Sequence, residues 1–128
     1  MRYLLDTHAF LWFITNDKRL SETAHRIIRD RNNEIFFSAA SAWEISIKTA
    51  LGRLSIEGDL EPFLVGQLVE NGFLSLPVTV PHAAHVFTLP DIHKDPFDRI
   101  RVSQARLENM PLITRDPMVR QYDIEAVW

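Results

Sequence analysis

The stretch "EIFFSAASAWEISIKTALGRL", residues 34–54, changes its period part-way along. Its opening, "EIFFSA", is a short apolar run of the kind that makes a buried strand. Beyond it Trp43, Ile47, Ala50 and Leu51 recur at helical spacing, and Gly52 is placed to stop the helix. Ser41 and Glu44 match the S-x-x-E capping box, and Trp43 reads as core. A strand that feeds straight into a helix is the repeating unit of α/β folds.

The same unit recurs on both sides. Upstream, Arg2 to Leu5 form an apolar strand that ends abruptly at Asp6, with a loop after it, and Ser21 in "LSETAHRIIRDR" caps a helix. Downstream, Asp59 caps a helix through Asn71 that Gly72 terminates, and "FLSLPV" reads as a strand. Thr79 and Pro81 open a short helix through Val86. The stretch "HKDPFDRIRVSQA", from His93 to Ala105, starts a longer one, with Pro96 in its first turn and its end near Asn109. "MPLIT" is a further strand, "RDPMVRQY" a helical turn and "IEAVW" a terminal strand. This alternation predicts an α/β sandwich with a mostly parallel sheet, whose ligands gather outside the carboxyl ends of the strands.

With 128 residues, 46% hydrophobic and 24% charged, the chain has the composition of one globular domain spanning 1–128. It has no cysteine, so any metal must be held by oxygen or imidazole. No apolar run reaches the roughly 20 residues that span a bilayer, and no signal peptide is recognisable, which together predict a cytoplasmic protein with no membrane partner. A net charge of −3 argues against general polyanion binding, except that cations held by the acids would reverse the local sign.

Four acids occupy equivalent places in this scheme. Asp6 follows the first strand, Glu44 lies in the first turns after the second, Asp98 opens the long helix and Asp116 follows the fourth strand. Under an assumed strand order all four project at one end of the sheet. Crowded carboxylates raise one another's pKa, and hard divalent cations relieve that cost. Ions so held activate water and stabilise the oxygens of a phosphodiester displacement, which makes metal-dependent phosphodiester hydrolysis the functional hypothesis. Each acid also has a purely structural reading: Glu44 completes a capping box, Asp95 is an N-cap with Asp98 in its first turn, and Asp116 and Asp6 are caps. The coincidence of place carries the weight.

The bases are less informative. Arg99, Arg101, Arg106, Arg115 and Arg120 lie near the acids in sequence and, with Lys48 and Arg53, are suited to phosphate contact, although solvated helix faces are the ordinary place for most of them. His8, His82, His85 and His93 show no H-E-x-x-H spacing, so an imidazole metal site is unsupported, and His8 falls at the rim beside Asp6.

Taken together and in this order, "LLDTH", "SAASAWEISIKTALGRL", "HKDPFDRIRVSQA" and "LITRD" closely resemble the PIN-domain nucleases, specifically the VapC-type toxins of bacterial toxin-antitoxin pairs. The resemblance covers nearly the whole chain. It implies a three-layer α/β/α sandwich with a sheet of four to five strands in the order 3-2-1-4-5. It further implies that Asp6 and Asp98 are the central metal ligands and that Glu44 binds metal directly or through water. Asp116 takes the fourth acidic position, often one layer behind the direct ligands. Thr114 positions Asp116, Thr7 adds a hydroxyl nearby, and Asp95 is mainly a cap with a place just outside the ligands. The implied activity is endonucleolytic cleavage of RNA by metal-activated water, with one or two Mg²⁺ or Mn²⁺ ions. The implied partners are RNA, a cognate antitoxin that covers the acidic site, and a second copy in a homodimer or toxin-antitoxin hetero-oligomer.

Other families fit less well. A haloacid dehalogenase phosphatase needs a second Asp two residues after the first, where His8 stands, and a response-regulator receiver needs an adjacent acidic pair after the first strand. A noncatalytic PIN-fold binding module, or a PIN nuclease for another structured nucleic acid, remains as the alternative.

Overall fold

In a computed structural model describing residues 1–128, five strands form one sheet: Arg2–Leu5 (β1), Glu34–Ser38 (β2), Leu74–Leu76 (β3), Leu112–Ile113 (β4) and Ala126–Val127 (β5). Their order is β3-β2-β1-β4-β5, and every neighbouring pair is parallel. Six helices connect them: Thr7–Ile14 (α1), Glu22–Arg29 (α2), Ala39–Ala50 (α3), Leu60–Asn71 (α4), Val80–His85 (α5) and Pro96–Leu107 (α6).

Because successive strand residues face opposite ways, β1 supplies both cores. Leu5 packs with Ala9 and Phe10 of α1, Ala24 and Ile28 of α2, Ile45 of α3 and Leu64 of α4. Leu4 faces the other way, onto Val102 and Ala105 of α6 and onto Met110, Val119 and Tyr122. Both leucines are fully buried, and each such side chain contributes about 1.5–3 kcal/mol by leaving water. Two cores on the two faces of one sheet make the three-layer sandwich. The chain winds outward from β1 to β3, then returns to start again at β4 beside β1. The reversal opens a crevice at the carboxyl ends of β1 and β4, the usual ligand position in such sheets.

The caps explain where the helices begin and end. Ser21 Oγ accepts the Ala24 N–H at 3.0 Å, and Thr79 forms a capping box with His82 at the start of α5. Gly52, at φ +75°, closes α3 with the Gly52 N–H on Thr49 O and the Arg53 N–H on Lys48 O, a left-handed turn that favours glycine.

Several expectations are corrected. The loop after Asp6 is helix α1; "THAFLWFI" is apolar on nearly every side and lacks a helical period because most of it is covered. Helix α3 is capped by Ser38, whose Oγ accepts the Ala40 N–H, and not by Ser41. Its inward face is therefore Ala40, Ser41, Glu44 and Ile45, and Trp43, read as core, is 65% exposed. The polar residues turn inward because partners from other elements await them there. Asp59 stands at the N-cap of α4 without a side-chain cap bond. Helix α6 ends at Leu107, just before Asn109 turns to φ +54°, while the helical turn expected in "RDPMVRQY" is present, as a 3-10 turn at Val119–Gln121.

Candidate metal centre

The crevice between β1 and β4 gathers all the acids singled out from the sequence. Asp6 follows β1 directly and caps α1, with Oδ1 accepting the Ala9 N–H at 2.7 Å. It is buried, and burial pushes its carboxyl above the usual range against the opposing pull of the Thr114 hydroxyl, the Ala9 N–H and the Arg101 charge. Asp95 caps α6, its Oδ1 accepting the N–H groups of Phe97 at 2.8 Å and Asp98 at 3.2 Å. Asp98 thus sits in the first turn of α6. Burial raises its carboxyl too, with the Arg101 charge opposing and the Asp95 charge assisting.

Glu44 is placed differently, with both oxygens already engaged. Oε1 accepts Thr7 Oγ1 at 2.6 Å and Arg101 Nη1 at 2.8 Å, and Oε2 accepts Lys48 Nζ at 2.8 Å. Burial would raise Glu44, but the Arg101 charge and the hydrogen bonds from Lys48, Thr7 and Arg101 outweigh it and hold the group at about 2. Arg101 also reaches Asp98 Oδ1 through Nη2 at 2.6 Å, and its charge acts on Asp6. One guanidinium therefore relates three of the four acids.

The fourth is joined through a histidine. His93 Nε2 lies 3.0 Å from Asp98 Oδ2 and 3.4 Å from Asp116 Oδ2. One donor atom from each of His93, Asp98 and Asp116 can be chosen so that all three lie within 4.8 Å of one another. His93 Nδ1 accepts the Asp95 N–H at 3.3 Å, which places the ring proton on Nε2, facing the carboxylates. Thr114 Oγ1 accepts the Asp116 N–H at 3.1 Å, and Asp116 Oδ1 accepts the Met118 N–H at 2.9 Å, so the turn after β4 fixes that carboxylate.

A family model described as PIN domain matches residues 3–125. The chain belongs to the PIN domain family. The PIN sheet order found here, 3-2-1-4-5, is what brings Asp6 and Asp116 to neighbouring strand ends. Among curated proteins none matches in sequence. Solved structures share the fold at low identity. One is VapBC2 from Rickettsia felis bound to a DNA fragment from its promoter, with a TM-score of 0.72, 14% identity, and coverage of 100% of this chain and 99% of that one. FitAcB from Neisseria gonorrhoeae gives 0.66 at 18% identity, covering 98% and 96%, and FitAB bound to a DNA fragment gives 0.65 at 17%, covering 98% and 93%.

Two residues of this PIN centre escaped the sequence reading. Arginines on a helix such as Arg101 are ordinarily solvated, yet Arg101 is 2% exposed. Its spacing of three from Asp98 on one helix held the signal, since such pairs share a face. His93 stands in a loop, and no local spacing connects it to Asp116. Of the other bases, Arg106, Arg115 and Arg120 are exposed, and Arg115 lies over the Trp12 ring at 4.5 Å.

Proposed function

We propose that this PIN domain, spanning 1–128, is a metal-dependent endoribonuclease acting as the toxin of a toxin-antitoxin pair. The observation that carries the metal is the set of facing oxygens of Asp98 and Asp116, together with buried Asp6, whose burial disfavours its charge. Hard oxygen donors suit Mg²⁺ or Mn²⁺, and a divalent cation relieves the cost of crowded, desolvated carboxylates. PIN domains are generally nucleases, and the quoted sequence blocks resemble VapC-type toxins, which supports RNA as substrate.

Asp6 and Asp98 would hold the ion, with Asp116 beside them and Glu44 acting through water. A divalent ion there supplies a Lewis acid that lowers the pKa of water and offsets charge on the attacked phosphate. The protein's own part is positioning: Thr114 and Met118 N–H fix Asp116, Thr7 fixes Glu44, and the His93 N–H orients Asp98 and Asp116. The fold shared with the VapBC2 and FitAB complexes supports a cognate protein partner, and a homodimer is proposed on the family resemblance. No helix is long and apolar enough to cross a membrane, in keeping with a cytoplasmic place of action.

The test is cleavage of a labelled structured RNA pool by purified protein in Mn²⁺ or EDTA, wild type against Asp98→Asn. Metal-dependent cutting that the variant loses supports the assignment; equal cutting by both would sink it. Arg101 is the observation that favours a noncatalytic module, because it already neutralises part of the cluster. Absence of Mn²⁺ binding at millimolar concentration would decide for that reading.

A further inference from the structure

We propose that Arg101, assisted by Lys48, takes the place in charge of a second divalent ion, so that the carboxylate cluster holds one divalent ion per chain. The inference rests on the metal-dependent reading above and concerns how that site is filled.

The geometry resembles what a bridging cation would do. Arg101 Nη1 and Nη2 span two carboxylates from different elements, Glu44 on α3 at 2.8 Å and Asp98 on α6 at 2.6 Å. Nη1 also donates to Thr7 Oγ1 at 2.9 Å and Ser41 Oγ at 3.2 Å. The Nε–H has no partner, so every hydrogen bond of the guanidinium points from its Nη atoms toward the cluster. Side chain and helix leave it no room to withdraw, since it is almost fully buried and its α6 neighbours Val102 and Ala105 are core. Arginine cannot shed its proton in a protein, so the charge stays where it is when other cations arrive.

The charges then set the capacity. Asp6, Glu44, Asp98 and Asp116 carry four negative charges when all are ionised, and Arg101 and Lys48 already return two, Lys48 through Glu44 and Arg101 through Glu44 and Asp98. The remainder matches one divalent ion. A second would leave two uncompensated positive charges in a partly desolvated crevice, where repulsion is weakly screened. Donor availability agrees. Glu44 is the most heavily claimed carboxylate, its two oxygens accepting three donors from Thr7, Arg101 and Lys48, whereas Asp98 accepts Arg101 on Oδ1 and the His93 ring on Oδ2, and Asp116 meets the same ring at 3.4 Å. The ion is therefore held on the Asp6, Asp98 and Asp116 side, with Arg101 on the Glu44 side.

Calorimetric titration of the metal-free protein with MnCl₂ tests this, alongside Arg101→Met and Lys48→Met. The expected result is one Mn²⁺ per chain in the wild type, a second in Arg101→Met, and a first ion bound roughly tenfold tighter in Lys48→Met, as removal of a nearby positive charge predicts. Two ions per chain in the wild type would overturn the inference, as would unchanged stoichiometry in a folded Arg101→Met. If Arg101→Met does not fold, Lys48→Met at its partly exposed position decides: unchanged affinity overturns the inference, tighter binding supports it. A wild type that cuts RNA only with metal but binds two ions would sink this inference alone. A wild type that binds no Mn²⁺ would remove the metal-dependent reading with it.

Discussion

Arg101 Nη1 stands 2.8 Å from Glu44 Oε1, across 57 residues of sequence and between two helices that approach the crevice from different strands. Breaking such a buried pair strands the remaining charge away from water, which costs more than the pair itself contributes. The acids of this one cluster should therefore respond in opposite directions to neutralisation.

Glu44→Gln should lower the unfolding free energy of the metal-free protein by about 3 kcal/mol, because Arg101 loses its principal counter-charge. Asp98→Asn should leave stability unchanged or raise it, since burial penalises the ionised carboxylate more than the Arg101 charge favours it. Urea denaturation in EDTA at neutral pH measures both. Similar losses in the two variants would contradict the assigned electrostatics.

The pH dependence follows from the same shifts. Glu44 is held at about 2 against an ordinary 4.5, so its contribution is complete above 4.5 and is lost as pH falls toward 2. Asp6 and Asp98 are raised from 3.8, so their ionised forms are penalised, and stability of the metal-free protein declines as pH rises above 3.8 through their folded values. Melting curves should show Glu44→Gln with a flattened acid limb between pH 4.5 and about 2. If Asp6 and Asp98 hold the ion as proposed, Mn²⁺ competes with protons for them, so its affinity should weaken on acidification; an affinity constant with pH would refute this linkage.

His93→Ala removes the donor that faces Asp98 and Asp116. Loss of a group that orients ligating carboxylates typically weakens metal binding by about 10–100-fold. Calorimetry with Mn²⁺ reads the change, and wild-type affinity in the variant would take His93 out of the centre.

Tyr122→Phe probes how that histidine is held. The Tyr122 hydroxyl accepts the His93 N–H at 2.9 Å and Arg99 Nη1 at 3.1 Å, and it is buried against the α6 core. Each bond contributes roughly 1 kcal/mol, so the loop before α6 should open more readily. Faster hydrogen exchange at the His93 amide, with the strand amides unchanged, is the expected outcome; unchanged protection would show that Arg99 alone holds the loop through Pro90 O and Val86 O.

The sheet was legible in the sequence because its strands carry local signals. "YLLD" and "EIFFSA" are short apolar runs ended by polar residues, and Ser21, Thr79, Asp95 and Gly72 mark helix boundaries through their own backbone bonds. Helix α1 was not legible, because a segment covered on most sides shows no amphipathic period. The capping box at Ser41 misled for a related reason. Ser41 and Glu44 have the spacing of a box, but their partners are Arg101 and Thr7, which no local rule connects to α3.

The sequence by itself determined the strand and helix alternation, the family, and the four acids as candidates, because capping, periodicity and motif spacing act within a few residues along the chain. Only the tertiary structure decided what surrounds each acid. It placed β4 beside β1, set Arg101 between Glu44 and Asp98, and brought His93 to Asp116. Coulomb interaction and desolvation depend on distance in space, so a carboxylate's protonation and its freedom to bind an ion are properties of its neighbours across the fold.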